Sequence, residues 1–381
     1  MKDFTFSVPQ NIIVGKGSLR RLPELSKELG GTHAFIISGP HLNKIGVVKS
    51  CKEALEAAGI AVGVFTETEG NPSVTTVEKA TAAFLESGAD FLIALGGGSP
   101  MDVAKAVGVV AKYGGSITDY EGGGKVPGKM IPLIAIPTTA GTGSEVTAFS
   151  VITDHSRNYK LTVFSYELIP AYAILDAELI TTVPASVAAA CGIDAMVHAL
   201  EAYISTAASP FSDAMAEKAL ELIGENIRRY VANRADMEAA EGMLVGSLFA
   251  GIAFSWARLG NVHAMSHPVS AFFDVPHGVA NAILLPTIVA YNALADHGKY
   301  KKVYNYISEV AAGSDFAPEQ LAEKLVELNE SLGIPKKLSD VGVTEDKLDA
   351  MADDAMKSGN IAVNPRTTTK EDILMLYHEA M

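Results

Sequence analysis

The sequence predicts two domains: an α/β domain with a parallel sheet over residues 1–183, and an all-helical domain over residues 184–381. Three observations support this prediction. The length of 381 residues corresponds to about two domains of ordinary size. The first third of the chain alternates short apolar runs with amphipathic helical patterns, whereas helical periodicity dominates after Pro184. Because no repeat or flexible linker separates the two parts, we expect them to pack together around a ligand cleft.

The elements of the first domain follow from apolar runs and periodicity. Strands are predicted at 34–37, 60–65, 91–95 and 130–136, with helices at 42–58 and 73–87 between the first three. A further pair of strands is predicted at 146–153 and 160–164. Because helices separate the first strands, these strands are predicted to form βαβ units of a parallel sheet.

Composition excludes several classes of function. The formal net charge of −14 disfavours contact with a nucleic-acid backbone. Cys51 and Cys191 form no metal-binding or redox motif, so any metal must use nitrogen and oxygen ligands. The first nine residues lack the apolar core of a signal peptide, and the longest uncharged apolar run, 242–257, is shorter than the ~20 residues that span a bilayer. We therefore expect a cytoplasmic protein without nucleic-acid or membrane partners.

A glycine-rich loop follows the third predicted strand. It runs from Gly96 to Ser99 and leads directly into a helical pattern, with Ser99 as the predicted N-cap and Pro100 as the first helical residue. Glycines without Cβ atoms allow backbone N–H groups to approach a phosphate. The spacing matches neither the usual dinucleotide fingerprint nor the P-loop fingerprint. Phosphate binding and an ordinary tight turn therefore both stay open for this loop alone.

A second loop of small residues, 137–145, follows the fourth predicted strand. Thr138, Thr139 and Thr142 offer hydroxyls to ribose or phosphate oxygens, and the glycines keep the backbone accessible. A polar turn whose hydroxyls bond their own backbone explains this loop equally well. Two such loops at the ends of two strands of one sheet favour a nucleotide site.

Histidines cluster in apolar helical sequence in the second domain. Asp194 and His198 are four residues apart on one helix face, and His263, His267 and His277 follow in a later block. One Asp/His pair is more often a buried hydrogen bond than a metal site. Burying several imidazoles and a carboxylate without a shared partner is costly, so the whole group favours a divalent metal.

The absence of thiolates narrows the choice of metal. Imidazole and carboxylate ligands suit Fe²⁺, Zn²⁺, Mn²⁺ or Co²⁺. Such an ion can act as a Lewis acid on an alcohol or carbonyl oxygen. A Lewis acid combined with a nucleotide site indicates hydride transfer between an alcohol and a nicotinamide cofactor.

Together these motifs resemble the iron-dependent (group III) alcohol dehydrogenases, in the branch that acts on lactaldehyde and propanediol. The resemblance rests on segments 96–105, 137–147, 192–198 and 263–277, and it extends over nearly the whole chain. It implies a dehydroquinate synthase-like architecture with a dinucleotide-binding domain and a helical metal-binding domain. It also implies hydride transfer between NAD(P) and a short-chain alcohol, a diol or the corresponding aldehyde, with the substrate oxygen on Fe²⁺ in the interdomain cleft. A homodimer or higher homo-oligomer is predicted as the common state of soluble enzymes.

The resemblance also implies the roles of individual residues. His267 would lie near the substrate and relay its proton rather than bind the metal, a choice that spacing alone does not make. The implied Fe²⁺ ligands are Asp194, His198, His263 and His277. The implied cofactor contacts are Gly97, Gly98 and Ser99 on the pyrophosphate, and Asn71, Asp102, Thr138, Thr139, Thr142, Val151 and Lys160 along the rest of the nucleotide.

One position departs from the pattern of the NAD-preferring members. They carry an aspartate after the first strand, where it binds the adenosine ribose and repels a 2′-phosphate, whereas this chain has Gly39. The loss of the carboxylate favours acceptance of NADP(H) and leaves the use of NAD(H) open. Ser38, Asn43 and Lys44 are the candidate contacts to the extra phosphate.

Other functions share parts of the pattern. A zinc polyol dehydrogenase of the glycerol type and a dehydroquinate synthase-like lyase have the same architecture with fewer histidine ligands. A metal-dependent hydrolase would explain the His/Asp group but would leave both small-residue loops without a role. A non-catalytic assembly protein would need a fused domain. One apolar contact changes discrimination by only ~1–3 kcal/mol, so the sequence does not fix the substrate.

Overall fold

The computed structural model describes residues 10–381, which form two compact units. The α/β unit comprises residues 10–139 and 144–181, and the helical unit comprises Ala140–Gly143 and Thr182–Met381. The predicted fold class, a parallel-sheet unit followed by a helical unit, is confirmed. Because a short piece of the loop around residue 140 belongs to the helical unit, a single boundary does not describe the division. The nine residues used to argue against a signal peptide lie outside the described part of the chain.

The α/β unit is built around a parallel sheet. Its strands in chain order are β1 (Asn11–Val14), β2 (His33–Ser38), β3 (Ala61–Phe65), β4 (Phe91–Gly96), β5 (Gly122–Gly123), β6 (Leu133–Pro137), β7 (Phe149–Asp154), β8 (Tyr159–Phe164) and β9 (Tyr172–Leu175). Six of them form the parallel sheet in the order β1-β9-β6-β4-β2-β3. The other three form a small sheet, β5-β8-β7, in which β7 and β8 are the predicted strand pair and run antiparallel.

Helices of this unit correct two predictions. They are α1 (Leu22–Glu28), α2 (Pro40–Lys44), α3 (Val47–Ala57), α4 (Val74–Ser87) and α5 (Gly98–Tyr113). The predicted helix 42–58 is two helices, because Gly46 takes a left-handed conformation at φ +85° between them. The predicted N-cap of α5 is also wrong: Gly97 in extended backbone precedes the helix, which begins at Gly98. Ser99 therefore lies in the first turn.

Alternate residues of each central strand are buried on opposite faces of the parallel sheet. Phe35 and Leu92 belong to one apolar cluster, and their neighbours Ile36 and Ile93 belong to the other. A sheet covered on both faces is typical of βαβ folds and explains the nearly continuous apolar runs of its strands. The buried strands fix the register at their carboxyl ends, where Gly96 lies opposite Pro137.

The helical unit contains α6 (Ala185–Ile204), α7 (Pro210–Ala232), α8 (Met237–Ala257), α9 (Asn261–Phe273), α10 (His277–Asn292), α11 (Lys299–Ile307), α12 (Glu319–Ser331), α13 (Leu348–Lys357) and α14 (Lys370–Ala380). Ala185–Ile204, Met237–Ala257 and His277–Ala295 are long and apolar enough to cross a membrane by length and composition. Within the fold, 83%, 61% and 61% of their apolar windows are buried, respectively. Their apolarity is therefore that of core helices, as predicted for 242–257.

Candidate active site

Four predicted metal ligands come together inside the helical unit. Asp194 and His198 lie one turn apart on α6, α9 supplies His263, and α10 begins at His277. Their ligand atoms all lie within 4.8 Å of one another. The Asp194 Oδ1 atom is 3.9 Å from Nε2 of His198 and 3.8 Å from Nε2 of His263 and of His277. Three helices therefore place one carboxylate and three imidazoles around one point.

The turn between α9 and α10 positions His277. Asp274 ends α9 in a left-handed conformation at φ +53°, and Pro276 directly precedes the first residue of α10. A Cβ atom on Gly278 would lie 2.5 Å from the carbonyl oxygen of Ala190 on α6. Glycine at this position thus permits the close packing of α10 on α6 that brings His277 to Asp194.

Two of the imidazoles are oriented by their second nitrogen. His198 Nδ1 lies 3.3 Å from the carbonyl oxygen of Gly141, and His263 Nδ1 lies 2.7 Å from a carboxylate oxygen of Glu201. The carbonyl oxygen of Gly141 can only accept, so His198 donates an Nδ1–H to it, and the lone pair of that ring stays on Nε2, facing Asp194. Metal-binding histidines typically donate their other N–H to a carbonyl or carboxylate in this way.

The side chain of Asn281 shows that the donor set fits a cation. Its Nδ2 atom is 2.6 Å from Asp194 Oδ1 and 3.1 Å from Nε2 of both His263 and His277. An amide NH₂ only donates, and its two protons cannot satisfy three acceptors. Lone pairs of one carboxylate and several imidazoles therefore converge on one buried region, as a divalent ion such as Fe²⁺ or Zn²⁺ requires.

Glu201 is a site residue that the sequence patterns did not single out. Its side chain is only 2% exposed, and burial raises its pKa to about 7. It follows Asp194 by seven residues and His198 by three, which places all three on one face of α6. That i, i+4, i+7 spacing was the available signal. The site thus contains a second carboxylate, which contacts the ring of His263 and not the point where the ligand atoms converge.

His267 lies beside the ligand group but outside it. Its ring centroid is 5.3 Å from that of His277 and 6.0 Å from that of His263. The His198 ring stacks instead on Phe254, with centroids 4.5 Å apart. His267 is not one of the four residues whose ligand atoms all lie within 4.8 Å of one another, a distinction that spacing alone does not make.

Two small-residue loops lie side by side at the carboxyl edge of the parallel sheet. The backbone N–H of Thr138 donates to the carbonyl oxygen of Gly96 at 2.9 Å. A Cβ atom on Gly97 would lie 3.0 Å from Thr139 Oγ1. The two predicted loops are thus in contact, and Gly98 and Ser99 form the first turn of α5. A helix N-terminus preceded by glycine is typical of phosphate-binding sites in parallel sheets.

The remaining residues expected along the nucleotide lie on several different segments of the chain. Asn71, in a left-handed conformation at φ +51°, accepts a hydrogen bond from Lys160 Nζ at 2.7 Å. Thr142 belongs to the segment Ala140–Gly143 of the helical unit, whereas the other expected cofactor contacts belong to the α/β unit. Gly39 directly follows β2, and a Cβ atom there would lie 3.3 Å from the carbonyl oxygen of Thr68. Ser38 is unsuited to a phosphate contact, because its buried hydroxyl donates to the carbonyl oxygen of Leu95 at 2.7 Å.

Asp102 has an internal role in the loop after β6. One carboxylate oxygen accepts from the Ser144 hydroxyl at 2.8 Å, and the other accepts from the backbone N–H of Val151 at 3.1 Å. Asp102 and Val151, both expected at the cofactor, are therefore bonded to each other. The Asp102 carboxylate thus links α5 to Ser144 and Val151.

A buried lysine completes that network. Lys105 is 0% exposed, and its Nζ donates to Ser144 Oγ at 3.0 Å and to the carbonyl oxygens of Thr147 and Phe149 at 2.9 and 2.8 Å. Burial lowers the pKa of Lys105 to about 8, and burial raises the pKa of nearby Glu145 to about 7. The glycine-rich segment Gly96–Lys105 thus includes a lysine that anchors the neighbouring loop.

Comparison with known proteins decides the family. Residues 9–177 match the model of the iron-containing alcohol dehydrogenases, and residues 188–381 match the C-terminal model of the Fe-containing alcohol dehydrogenase family. The chain belongs to the iron-containing alcohol dehydrogenase family. It is 38% identical to lactaldehyde reductase of Escherichia coli (strain K12), a match that covers 96% of each chain. It is 34% identical to NAD-dependent methanol dehydrogenase of Bacillus methanolicus, over 99% of each chain.

The fold comparison agrees with this family. A solved structure of 1,3-propanediol oxidoreductase matches with a TM-score of 0.95 and 36% identity, and the match covers 100% of both chains. As an iron-containing alcohol dehydrogenase, the protein is an oxidoreductase whose family pairs Fe²⁺ with a nicotinamide cofactor. The three imidazoles around Asp194 favour this family over the polyol dehydrogenase and lyase alternatives, which would use fewer histidine ligands.

Proposed function

We propose that the protein interconverts short-chain alcohols or diols and their aldehydes, with Fe²⁺ held by Asp194, His198, His263 and His277. The buried convergence of these four side chains is the observation that carries the proposal. The relatives reported above act, by their names, on methanol, lactaldehyde and 1,3-propanediol. Because all three compounds are small and carry an alcohol or aldehyde, we assign this chain the same substrate class.

Each side chain of the site has its own proposed role in the reaction. A divalent ion bound there supplies Lewis acidity towards an alcohol or carbonyl oxygen. Asp194 supplies a negative charge, and the hydrogen bonds on Nδ1 of His198 and His263 keep their Nε2 lone pairs in place. His267, next to His277, is the candidate to accept the alcohol proton at its imidazole and to return it in the reverse direction.

The cofactor is proposed to bind at the carboxyl edge of the parallel sheet. The backbone of Gly97, Gly98 and Ser99 and the N-terminus of α5 would hold the pyrophosphate. The hydroxyls of Thr138 and Thr139, in contact with that loop, would bind adjacent oxygens. The further expected contacts are Asn71, Thr142, Val151 and Lys160, with Asp102 acting through the loop that it holds.

Gly39 supports a finer proposal, that NADP(H) is accepted. The position after β2 has no carboxylate to repel a 2′-phosphate. Since the Ser38 hydroxyl is buried and bonded to the Leu95 carbonyl, Asn43 and Lys44 on α2 are the remaining candidates for the phosphate contact. The cytoplasmic location and the homo-oligomeric state remain predictions.

The test is cofactor oxidation by protein purified without oxygen and loaded with Fe²⁺. NADPH or NADH is offered with a panel of short aldehydes, and absorbance at 340 nm is followed before and after chelation. We expect oxidation that stops on chelation and is lost in His263→Ala but kept in His155→Ala, an exposed histidine outside the site. If the wild-type protein holds metal yet consumes neither cofactor with any aldehyde or alcohol, the dehydrogenase proposal is wrong. The lyase then becomes the hypothesis to test.

A further inference from the structure

We propose that Glu201 is the positioning residue of this site, and that its carboxylate fixes the tautomer of His263 that can bind a metal through Nε2. The inference rests on the proposed metal site and adds to it a residue outside the ligand group. Glu201 lies on α6 and His263 on α9, so the contact joins two helices that both supply ligands.

The two carboxylate oxygens of Glu201 have separate partners. Oε2 lies 2.7 Å from Nδ1 of His263, and Oε1 accepts the backbone N–H of Val262 at 2.7 Å. Val262 lies in the first turn of α9, where backbone N–H groups lack partners within the helix. Glu201 therefore contacts both the backbone in the first turn of α9 and the ring of His263.

The backbone just before α9 packs closely against the Glu201 carboxylate. A Cβ atom on Gly260 would lie 2.9 Å from Glu201 Oε1. The side chains of Glu201 and His263 are 2% and 1% exposed, so water does not compete for either contact. An acceptor on Nδ1 keeps the ring proton there, and the lone pair stays on Nε2, which faces Asp194 Oδ1 at 3.8 Å.

The contact between Glu201 and His263 also has an electrostatic effect. With both carboxylates ionised, Asp194 and Glu201 place two negative charges in one buried region, and a single divalent cation would balance them. His263 is the link between Glu201 and the ligand group, since its Nδ1 faces Glu201 and its Nε2 faces Asp194. The carboxylate thereby raises the basicity of the imidazole towards a bound cation.

Glutamine has nearly the same shape as glutamate. The substitution Glu201→Gln therefore tests the hydrogen bonds and the charge of the carboxylate without changing the space that the side chain fills. If the amide oxygen accepts from Val262, its NH₂ group faces His263 Nδ1, which must then accept. The ring proton moves to Nε2 and blocks metal binding there. If the amide turns round, two donors meet at Val262 and the start of α9 is disturbed. In either orientation one of the two contacts seen in the structure is lost.

The matched control is Glu145→Gln. Glu145 is also a 2%-exposed glutamate, and it belongs to the α/β unit, whereas the ligand group belongs to the helical unit. The probe is Co²⁺, whose affinity is measured by competition with a chelator and whose visible spectrum reports its ligands. We expect Glu201→Gln to weaken Co²⁺ binding by about 10–100-fold and to change the spectrum. Glu145→Gln should bind Co²⁺ like the wild-type protein.

Further measurements separate the outcomes. The circular dichroism spectrum of metal-free Glu201→Gln should match that of the metal-free wild-type protein, because the substitution alters one buried hydrogen bond and leaves the helices in place. Wild-type-like Co²⁺ affinity in Glu201→Gln overturns the inference, and so does equal loss in both variants or a fall in affinity accompanied by loss of the folded spectrum. If the wild-type protein itself binds no Co²⁺, the proposed metal site fails first.

A test on the wild-type protein does not depend on any variant of Glu201. In metal-free protein with ¹⁵N-labelled histidine, His263 should show a hydrogen-bonded Nδ1 proton, assigned by its disappearance in metal-free His263→Ala. A His263 signal with the proton on Nε2, or with no protected Nδ1 proton, contradicts the inference.

Discussion

The buried Glu145 makes a specific prediction about pH and stability. Its side chain is 2% exposed, and its Oε1 atom has no hydrogen-bond partner within residues 10–381. Burial raises its pKa from 4.5 to about 7, although the nearby Lys105 ammonium partly opposes that shift. The ionised form therefore destabilises the folded protein, and Glu145→Gln, which replaces the charged group by a neutral one of similar shape, should relieve that cost.

The magnitude follows from proton linkage. Because the pKa is higher in the folded state, the folded protein binds more protons than the unfolded chain between pH 4.5 and about 7. The contribution of Glu145 is fully present below this interval and is lost as the pH rises through it. At about 1.4 kcal/mol per pH unit, the loss is worth about 3 kcal/mol.

The assay is guanidinium denaturation of the metal-free wild-type protein and of Glu145→Gln at pH 5 and pH 8, followed by circular dichroism. The free energy of unfolding of the variant, relative to the wild type, should rise by up to about 3 kcal/mol between the two pH values. Titrating groups that do not interact with Glu145 cancel in this difference, whereas Lys105, whose pKa the Glu145 carboxylate raises, contributes to it as the partner of Glu145. Glu309→Gln, at an exposed position, should show no such change. A difference that is the same at pH 5 and pH 8 would refute the reasoning.

Four other outcomes are expected. His263→Ala should lose metal, measured by elemental analysis, while His155→Ala keeps it; equal metal content in both would contradict the ligand assignment. Gly39→Asp should lower the ratio of NADPH-linked to NADH-linked rates at least about tenfold, since a carboxylate repels the 2′-phosphate; an unchanged ratio places the phosphate elsewhere. Gly224→Ala should destabilise the helical unit by about 1–3 kcal/mol, seen as a lower unfolding midpoint, because its Cβ meets backbone of α11. His267→Ala should alter the rate between pH 6 and 9, and an unchanged profile would remove its proton-relay role.

Periodicity predicted the elements whose local pattern agrees with their burial. The apolar run at 34–37 lies in β2, and the helical pattern at 73–87 lies in α4, whose N-cap Ser73 accepts from the backbone of Thr76. In both elements the pattern of apolar residues along the sequence matches the pattern of buried positions. The parallel arrangement then followed from chain geometry, because a helix between two strands returns the chain to the same edge.

Breaks and starts of helices were less predictable. Gly46 interrupts the pattern at 42–58 through a left-handed backbone, although the apolar residues on both sides continue a helical period. At α5 the first residue is Gly98 because the turn before it packs against Thr139, a residue of another loop. Both features depend on backbone conformation and close packing, which composition does not report.

Sequence patterns alone do not distinguish His263 from His267 as a metal ligand. Both lie on α9, four residues apart, so they project from nearly the same face and either could follow Asp194 and His198 into a metal site. In the structure His263, and not His267, belongs to the group of converging ligand atoms. Glu201 contacts Nδ1 of His263, and the Gly141 carbonyl contacts Nδ1 of His198. For the proposed ligand set, the groups that hold the second nitrogens therefore matter as much as the ligands themselves. Those groups are visible only once the helices and the loop are packed together.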